Sequence, residues 1–264
     1  ANQTREFCVK QRVITALLLA PLALAGILWL PTGPLMALVA AALLAGLWEW
    51  TRLIGIKGNV RRLAVLLVHA ALMAWLAWKG RTGLFPWVAL AGVVWWLLAL
   101  FWLRNPMFAK AKTPRNLALK LGIGTLLVLP TWCAFALLHA SGPVWALYAL
   151  LLVWAADTFA FFSGRRFGGH KLAPSISPNK TWAGLWGGLF GVLILALGMA
   201  PLLGVSLAHL PVLIAVSVFA GLASVLGDLF ESIIKRQAGA KDSGALLPGH
   251  GGVLDRIDSM LAAL

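Results

Sequence analysis

Apolar residues run in eight stretches, 13–30, 35–50, 63–78, 84–103, 121–140, 143–156, 182–203 and 211–227, parted by short polar segments. None alternates apolar with polar residues as a half-buried strand does. A backbone in hydrocarbon must satisfy its own polar groups, so each stretch is predicted to be a helix. Crossing a hydrocarbon core takes about 20 helical residues. Several stretches are at or below that length, a shortfall that tilt, snorkelling side chains or interfacial tryptophans make up. Trp29, Trp48, Trp50, Trp75, Trp78, Trp87, Trp102 and Trp182 fall near predicted ends, where interfacial aromatics belong. The links PTGP (31–34) and SGP (141–143) are tight enough to pair their flanking helices as antiparallel hairpins. The pattern predicts an all-α, polytopic integral membrane protein with about eight spans and a short C-terminal helix.

Composition agrees. The 264 residues are 61% hydrophobic and 11% charged, with a mean hydropathy of +0.90, which excludes a water-soluble globule of this size. A formal charge of +14 would point to nucleic acid in a soluble chain, but cytoplasmic loops of membrane proteins collect Lys and Arg. With the N-terminus in the cytoplasm, 20 of the 22 basic residues fall inside and only Lys79 and Arg81 outside. That count fixes the expected orientation and removes nucleic acid as a partner. Arg5, Lys10 and Arg12 precede the first apolar stretch in the order of a secretory signal, yet its length suits a retained span, and residues 1–8 read as a tag or processing scar. Cys8 and Cys133 exclude a disulfide framework and a zinc site. The basic loop 104–120 divides an N-terminal region of four spans, 1–120, from a C-terminal region, 121–264, expected to be catalytic.

Six of the eight acidic residues lie at or after Asp157, and all six are expected at cytoplasmic helix ends or in cytoplasmic loops. Asp228 and Glu231 stand three apart where the last span is predicted to meet water, so one helix face presents both. Asp255 and Asp258 repeat that spacing after a glycine-rich turn. Oxygen-only clusters suit a hard cation such as Mg²⁺; salt bridges from Glu231 to Lys235 and from Asp255 to Arg256 are the plainer alternative. In PGHGG (248–252) the glycines can bring successive N–H groups toward an anion, or form an ordinary turn. Lys235, Arg236, Lys241 and Arg256 lie around it. A second basic loop, 161–182, offers Arg165, Arg166, His170, Lys171, Ser177 and Lys180. There Asn179, Lys180 and Thr181 are expected to open the next helix, whose N–H groups favour anions, while Asp157 closes the preceding one. Carboxylates for a metal beside cations for phosphates make a phosphoryl or nucleotidyl transfer site at the membrane surface.

The stretch SIIKRQAGAKDSGALLPGHGGVLDRID (232–258) resembles the signature of the bacterial phosphatidate cytidylyltransferases, or CDP-diacylglycerol synthases. Every fixed position of S-x-x-K-R-x4-K-D and P-x-H-G-G-x-x-D-R-x-D is present: Ser232, Lys235, Arg236, Lys241, Asp242, Pro248, His250, Gly251, Gly252, Asp255, Arg256 and Asp258. Residues 154–182 and 223–232 are similar to two further blocks of that family, whereas the N-terminal half resembles it only in hydropathy. The resemblance implies condensation of CTP with phosphatidic acid to CDP-diacylglycerol and pyrophosphate, Mg²⁺ dependence, a homodimer, and a cytoplasm-facing polar cavity in the bacterial inner membrane. On that reading Asp228, Asp255 and Asp258, with Asp242 or Glu231, hold one or two divalent ions. Lys235, Arg236, Lys241 and Arg256 neutralise pyrophosphate, and His250 serves as a hydrogen-bonding group or a proton carrier. Substrate contacts fall to Ser177, Asn179, Lys180, Thr181, Arg165, Ser232, Gly251 and Gly252. The chain departs from the family pattern at Ala183, at Thr158, Phe159 and Phe161, and in ending at Leu264, where a further hydrophobic helix is usual; its absence implies a poorly anchored terminal carboxylate pair. A transporter of anionic solutes is the alternative, disfavoured because the predicted spans are nearly free of charge. The D-G-x2-A-R pattern of CDP-alcohol phosphotransferases is absent.

Overall fold

A computed structural model describes residues 20–78, 81–246 and 251–264. It is nearly all helix: α1 (Ala20–Trp29), α2 (Thr32–Leu53), α3 (Asn59–Ala77), α4 (Phe85–Arg104, after a 3₁₀ turn at Thr82–Leu84), α5 (Pro114–Ser141), α6 (Pro143–Phe167), α7 (Trp182–Met199), α8 (Leu210–Gln237) and α9 (Leu254–Ala263). The seven helices from α2 to α8 are long and apolar enough to cross a membrane, so the protein is multi-pass. Residues 1–19, which carry the expected scar and the start of the first span, lie outside the described residues, as do Lys79, Pro248 and His250. Helices α4, α5, α6 and α8 open with proline in the first turn, where the missing N–H has no helical partner to lose. Thr113 caps α5 by accepting from the Asn116 N–H at 3.2 Å.

Several helices overrun the apolar stretches that predicted them. The stretch expected to end at 156 continues as α6 to Phe167, the one expected to end at 227 continues as α8 to Gln237, and α5 begins at Pro114 rather than near 121. Hydropathy stops at the first charges, but a helix continues while neighbouring elements partner those charges. Asp157, expected at a helix end, is therefore well inside α6. Asp228, Glu231 and Lys235 all lie within α8, in the part that overruns its apolar stretch, and the apolar stretches themselves carry few charges. The second basic loop also differs from expectation, since it contains an antiparallel hairpin, β1 (Lys171–Ala173) with β2 (Ser177–Thr181). Asn179 and Lys180 belong to β2 and do not open α7. Proline and β-branched residues around a tight turn favour that extended pairing.

The core centres on Phe230 of α8, whose ring meets those of Trp50, Trp95, Trp96 and Trp102 at centroid distances of 5.6–6.2 Å. Trp50 and Trp102, expected at the interface, are 2% and 5% exposed and belong to this core instead. One continuous apolar cluster draws on α1 to α6, α8 and α9. α9 packs against α8, α2, α5, α6 and α4, and Trp96 Nε1 and Thr131 Oγ1 both donate to the Leu261 carbonyl. The terminal carboxylate pair is thus firmly anchored, contrary to the expectation drawn from the chain's end. Polar contacts gather at one end of the bundle. Arg52 donates to the Ser243 carbonyl (2.7 Å), Lys120 to Gln237 (2.8 Å), and Gln237 to the carbonyls of Pro106 and Phe108 (2.7 and 2.9 Å). At the opposite end His139 accepts from the Thr32 hydroxyl and donates to the Ile27 carbonyl, both at 2.9 Å, joining the two tight links.

Candidate active site

Charged residues of β2, α8 and α9 form two sets of ion pairs at the polar end, one around Lys180 and one around Lys235. Lys180 is offered by β2 one residue before Thr181, whose hydroxyl caps α7 by accepting from the Gly184 N–H at 3.0 Å. Its Nζ lies 2.6 Å from Asp228 Oδ2, and both charges act on Asp157 of α6. Asp228 Oδ1 accepts from the Ser232 hydroxyl one turn later, at 3.3 Å. Continuing along α8, Lys235 Nζ bridges Glu231 Oε2 (2.5 Å) and Asp255 Oδ1 (2.7 Å). The i,i+4 spacing of Glu231 and Lys235 brings them together on one face of the helix, and α9 supplies the second carboxylate.

The two aspartates of α9 sit in opposite environments. Burial works against ionisation of Asp255. Donation from Lys235 and from the Gly252 and Ser243 N–H groups outweighs it and holds this carboxyl below the usual range; both N–H groups reach Oδ2 at 2.9 Å. Asp258 is buried, and burial together with the nearby charge of Asp228 pushes its carboxyl up to about 7. Gly251 has φ +86°, a conformation that favours glycine. In this glycine turn, read from the sequence as either an anion-holding turn or an ordinary one, the Gly252 N–H donates to Asp255.

Among the described residues no three Asp, Glu, His or Cys side chains converge closely enough to grip one ion; Lys180 and Lys235 stand between the carboxylates. The donor set fits a hard divalent cation nonetheless. Asp228, Glu231 and Asp258 offer only oxygen, and Glu231 Oε1 is buried without a hydrogen-bond partner among the described residues. Asp255 has both oxygens engaged and acts as an anchor for Lys235. Of the other sequence candidates, Arg165 and Arg236 are exposed in the last turns of α6 and α8, Lys241 and Asp242 are exposed beyond α8, Arg256 is exposed on α9, and Asn179 is exposed on β2. Ser177 pairs with Ala173 in the hairpin. Of the two salt bridges given as the plainer alternative, Glu231 with Lys235 is present, while Asp255 pairs with Lys235 because consecutive helical residues point apart.

Sequence reasoning passed over one site residue, Glu49 of α2. It is 2% exposed and lies against the stretch that leads into α9, accepting from Ser243 Oγ (2.8 Å) and the Leu254 N–H (2.9 Å). The signal was available, because an acid inside an apolar stretch has to find a buried partner.

Comparison with known proteins bears on what this arrangement does. The model of the cytidylyltransferase family matches residues 10–264. The chain is 40% identical to a phosphatidate cytidylyltransferase of Pseudomonas aeruginosa, over 97% of this chain and 94% of that protein. It is 37% identical to one of Haemophilus influenzae, over 97% and 96%, and 47% identical to one of Staphylococcus aureus over 48% of each. The match thus extends through the N-terminal helices, where hydropathy alone had carried the likeness, and the chain belongs to the cytidylyltransferase family.

Proposed function

We propose that this protein condenses CTP with phosphatidic acid, giving CDP-diacylglycerol and pyrophosphate, in phospholipid biosynthesis. The observation that carries the reading is 40% identity across almost the entire length of a phosphatidate cytidylyltransferase. A phosphate oxygen of phosphatidate attacks the α-phosphorus of CTP. The new P–O bond forms as the α–β anhydride bond breaks, and the electron pair leaves with pyrophosphate.

Both reactants are anionic, so the protein's work is to neutralise and align them. Lys180, on the hairpin, is placed to exchange Asp228 for a substrate phosphate. Lys235 is held by Glu231 and Asp255 at a fixed point, where it can face the charge that builds on the leaving pyrophosphate. Asp228, Glu231 and Asp258 would hold Mg²⁺, which when bound supplies Lewis-acid polarisation of phosphate oxygens. The polar end of the bundle faces the cytoplasm of a bacterial inner membrane, where CTP is available.

Purified protein incubated with radiolabelled CTP, phosphatidate vesicles and Mg²⁺ is expected to move label into extractable lipid, and EDTA to abolish the transfer. Asp228→Asn should lower turnover about a hundred- to thousandfold, the cost of removing one preorganised electrostatic group. Label that enters vesicles without joining lipid would overturn the reading in favour of transport.

A further inference from the structure

We infer that Glu49, from the N-terminal half of the chain, is a positioning residue for the transfer site, holding Asp255 and Lys235 in register through Ser243. This rests on the proposed function. Ser243 is completely buried, and each of its polar groups is engaged. Its hydroxyl donates to Glu49 Oε2 at 2.8 Å, its carbonyl accepts from Arg52 Nη2 at 2.7 Å, and its N–H donates to Asp255 Oδ2 at 2.9 Å. The Asp255 N–H returns to the Ser243 hydroxyl at 3.3 Å. Glu49 and Arg52, almost one turn apart on α2, thus clasp one serine, and that serine grips the aspartate that holds Lys235.

The same Glu49 oxygen also accepts from the Leu254 N–H at 2.9 Å, at the first residue of α9. One buried carboxylate therefore ties Ser243 to the start of α9. Gly244 and Gly252 make room for it: a Cβ on Gly244 would overlap the Glu49 carboxylate, and one on Gly252 would overlap both that carboxylate and the Ser243 hydroxyl. Desolvating a carboxylate is costly, and here both bonds of Oε2 go to the segment that orients Asp255. A shift of about 1 Å in such a group can cost about a hundredfold in rate.

The test uses the full chain in detergent, with variants Glu49→Ala, Glu49→Gln and Ser243→Ala. A glutamine carbonyl can accept both bonds of Oε2, and its amide nitrogen takes the place of Oε1, which has no hydrogen-bond partner among the described residues. Amide hydrogen exchange at Ser243 and Leu254 is expected to accelerate about tenfold or more in Glu49→Ala and to stay near wild type in Glu49→Gln. In the lipid-labelling assay, Glu49→Ala and Ser243→Ala should lower kcat about tenfold or more, with KM for CTP within about threefold. Glu49→Gln should restore most of kcat, and the Glu49→Ala/Ser243→Ala double variant should lose no more than the worse single, as residues acting as a unit do. Unchanged exchange in a folded Glu49→Ala, or wild-type kcat despite faster exchange, overturns the inference. If Glu49→Ala does not fold, Ser243→Ala decides alone, since it removes only the hydroxyl. A wild-type protein that labels no lipid sinks the proposed function instead, and exchange still judges the clasp.

Discussion

Asp255 and Lys180 are both ion-paired, yet they respond differently to substitution. Asp255 is held below its ordinary pKa by Lys235 and two N–H groups despite burial, so the native state favours its charged form more than the unfolded chain does. Its contribution to stability is present above the unfolded value, near 3.8, and is lost as pH falls through the lower folded value. Asp255→Asn is therefore expected to lower the Tm at pH 7, with the gap from wild type closing below about pH 4 in a detergent melting series. Lys180 and Asp228 keep 23% and 31% of their side-chain surface exposed, so water screens the pair and it adds at most about 1 kcal/mol. Lys180→Met should accordingly leave Tm within a few degrees of wild type while cutting lipid-labelling turnover about tenfold or more, because neutralising phosphate in the transition state is worth more than the resting pair. The sequence marks these residues by type and spacing. The i,i+4 spacing offers Glu231 as a partner for Lys235, but nothing in the sequence says that Asp255 would be the second, since that depends on where α9 lies.

That position is set by close packing between α8 and α9. Gly227, one residue before Asp228, faces the Asp258 carbonyl so closely that a Cβ there would overlap it, and Ala262 lies 3.0 Å from the same point. Gly227→Ala is expected to push α9 away and destabilise the protein by about 1–3 kcal/mol, as overpacking does, lowering both the Tm and the lipid-labelling rate. An alanine that leaves both unchanged would refute the close approach. The existence of the spans was legible in their apolar stretches, and the helical nature of 254–263 in the spacing of Asp255 and Asp258. Helix ends were not, because α6 and α8 carry their charges past the point where hydropathy falls. The hairpin 171–181 was also missed, since its signals of proline, serine and charge are equally those of a loop.

At the scale of the molecule, the basic segments after α2, α4, α6 and α8 share one end of the bundle, and the proposed orientation, which rests on the charge count, puts that end in the cytoplasm. With Cys8 and Cys133 replaced by serine, Lys57→Cys and Ser206→Cys place one thiol beyond each end. A membrane-impermeant thiol reagent applied to spheroplasts should label the Ser206 position and spare Lys57; the reverse pattern would invert the topology. The hydrophobic cluster and the Glu49 clasp both join the first four spans to the later helices, so loss of the N-terminal helices is expected to abolish lipid labelling even though α5 to α8 can still cross the membrane.

The sequence by itself determined a helical membrane protein, the segments between spans in which its charges gather, and the family signature of residues 232–258. Each of these is a property of local order, namely apolar length, charge between spans and residue spacing. Only the tertiary structure decided which carboxylates keep a lysine, which one is pushed toward its neutral form, and that an acid more than 190 residues away in the chain holds Ser243. Those outcomes depend on burial and on partners brought in from distant segments, and neither quantity is written in the neighbouring residues.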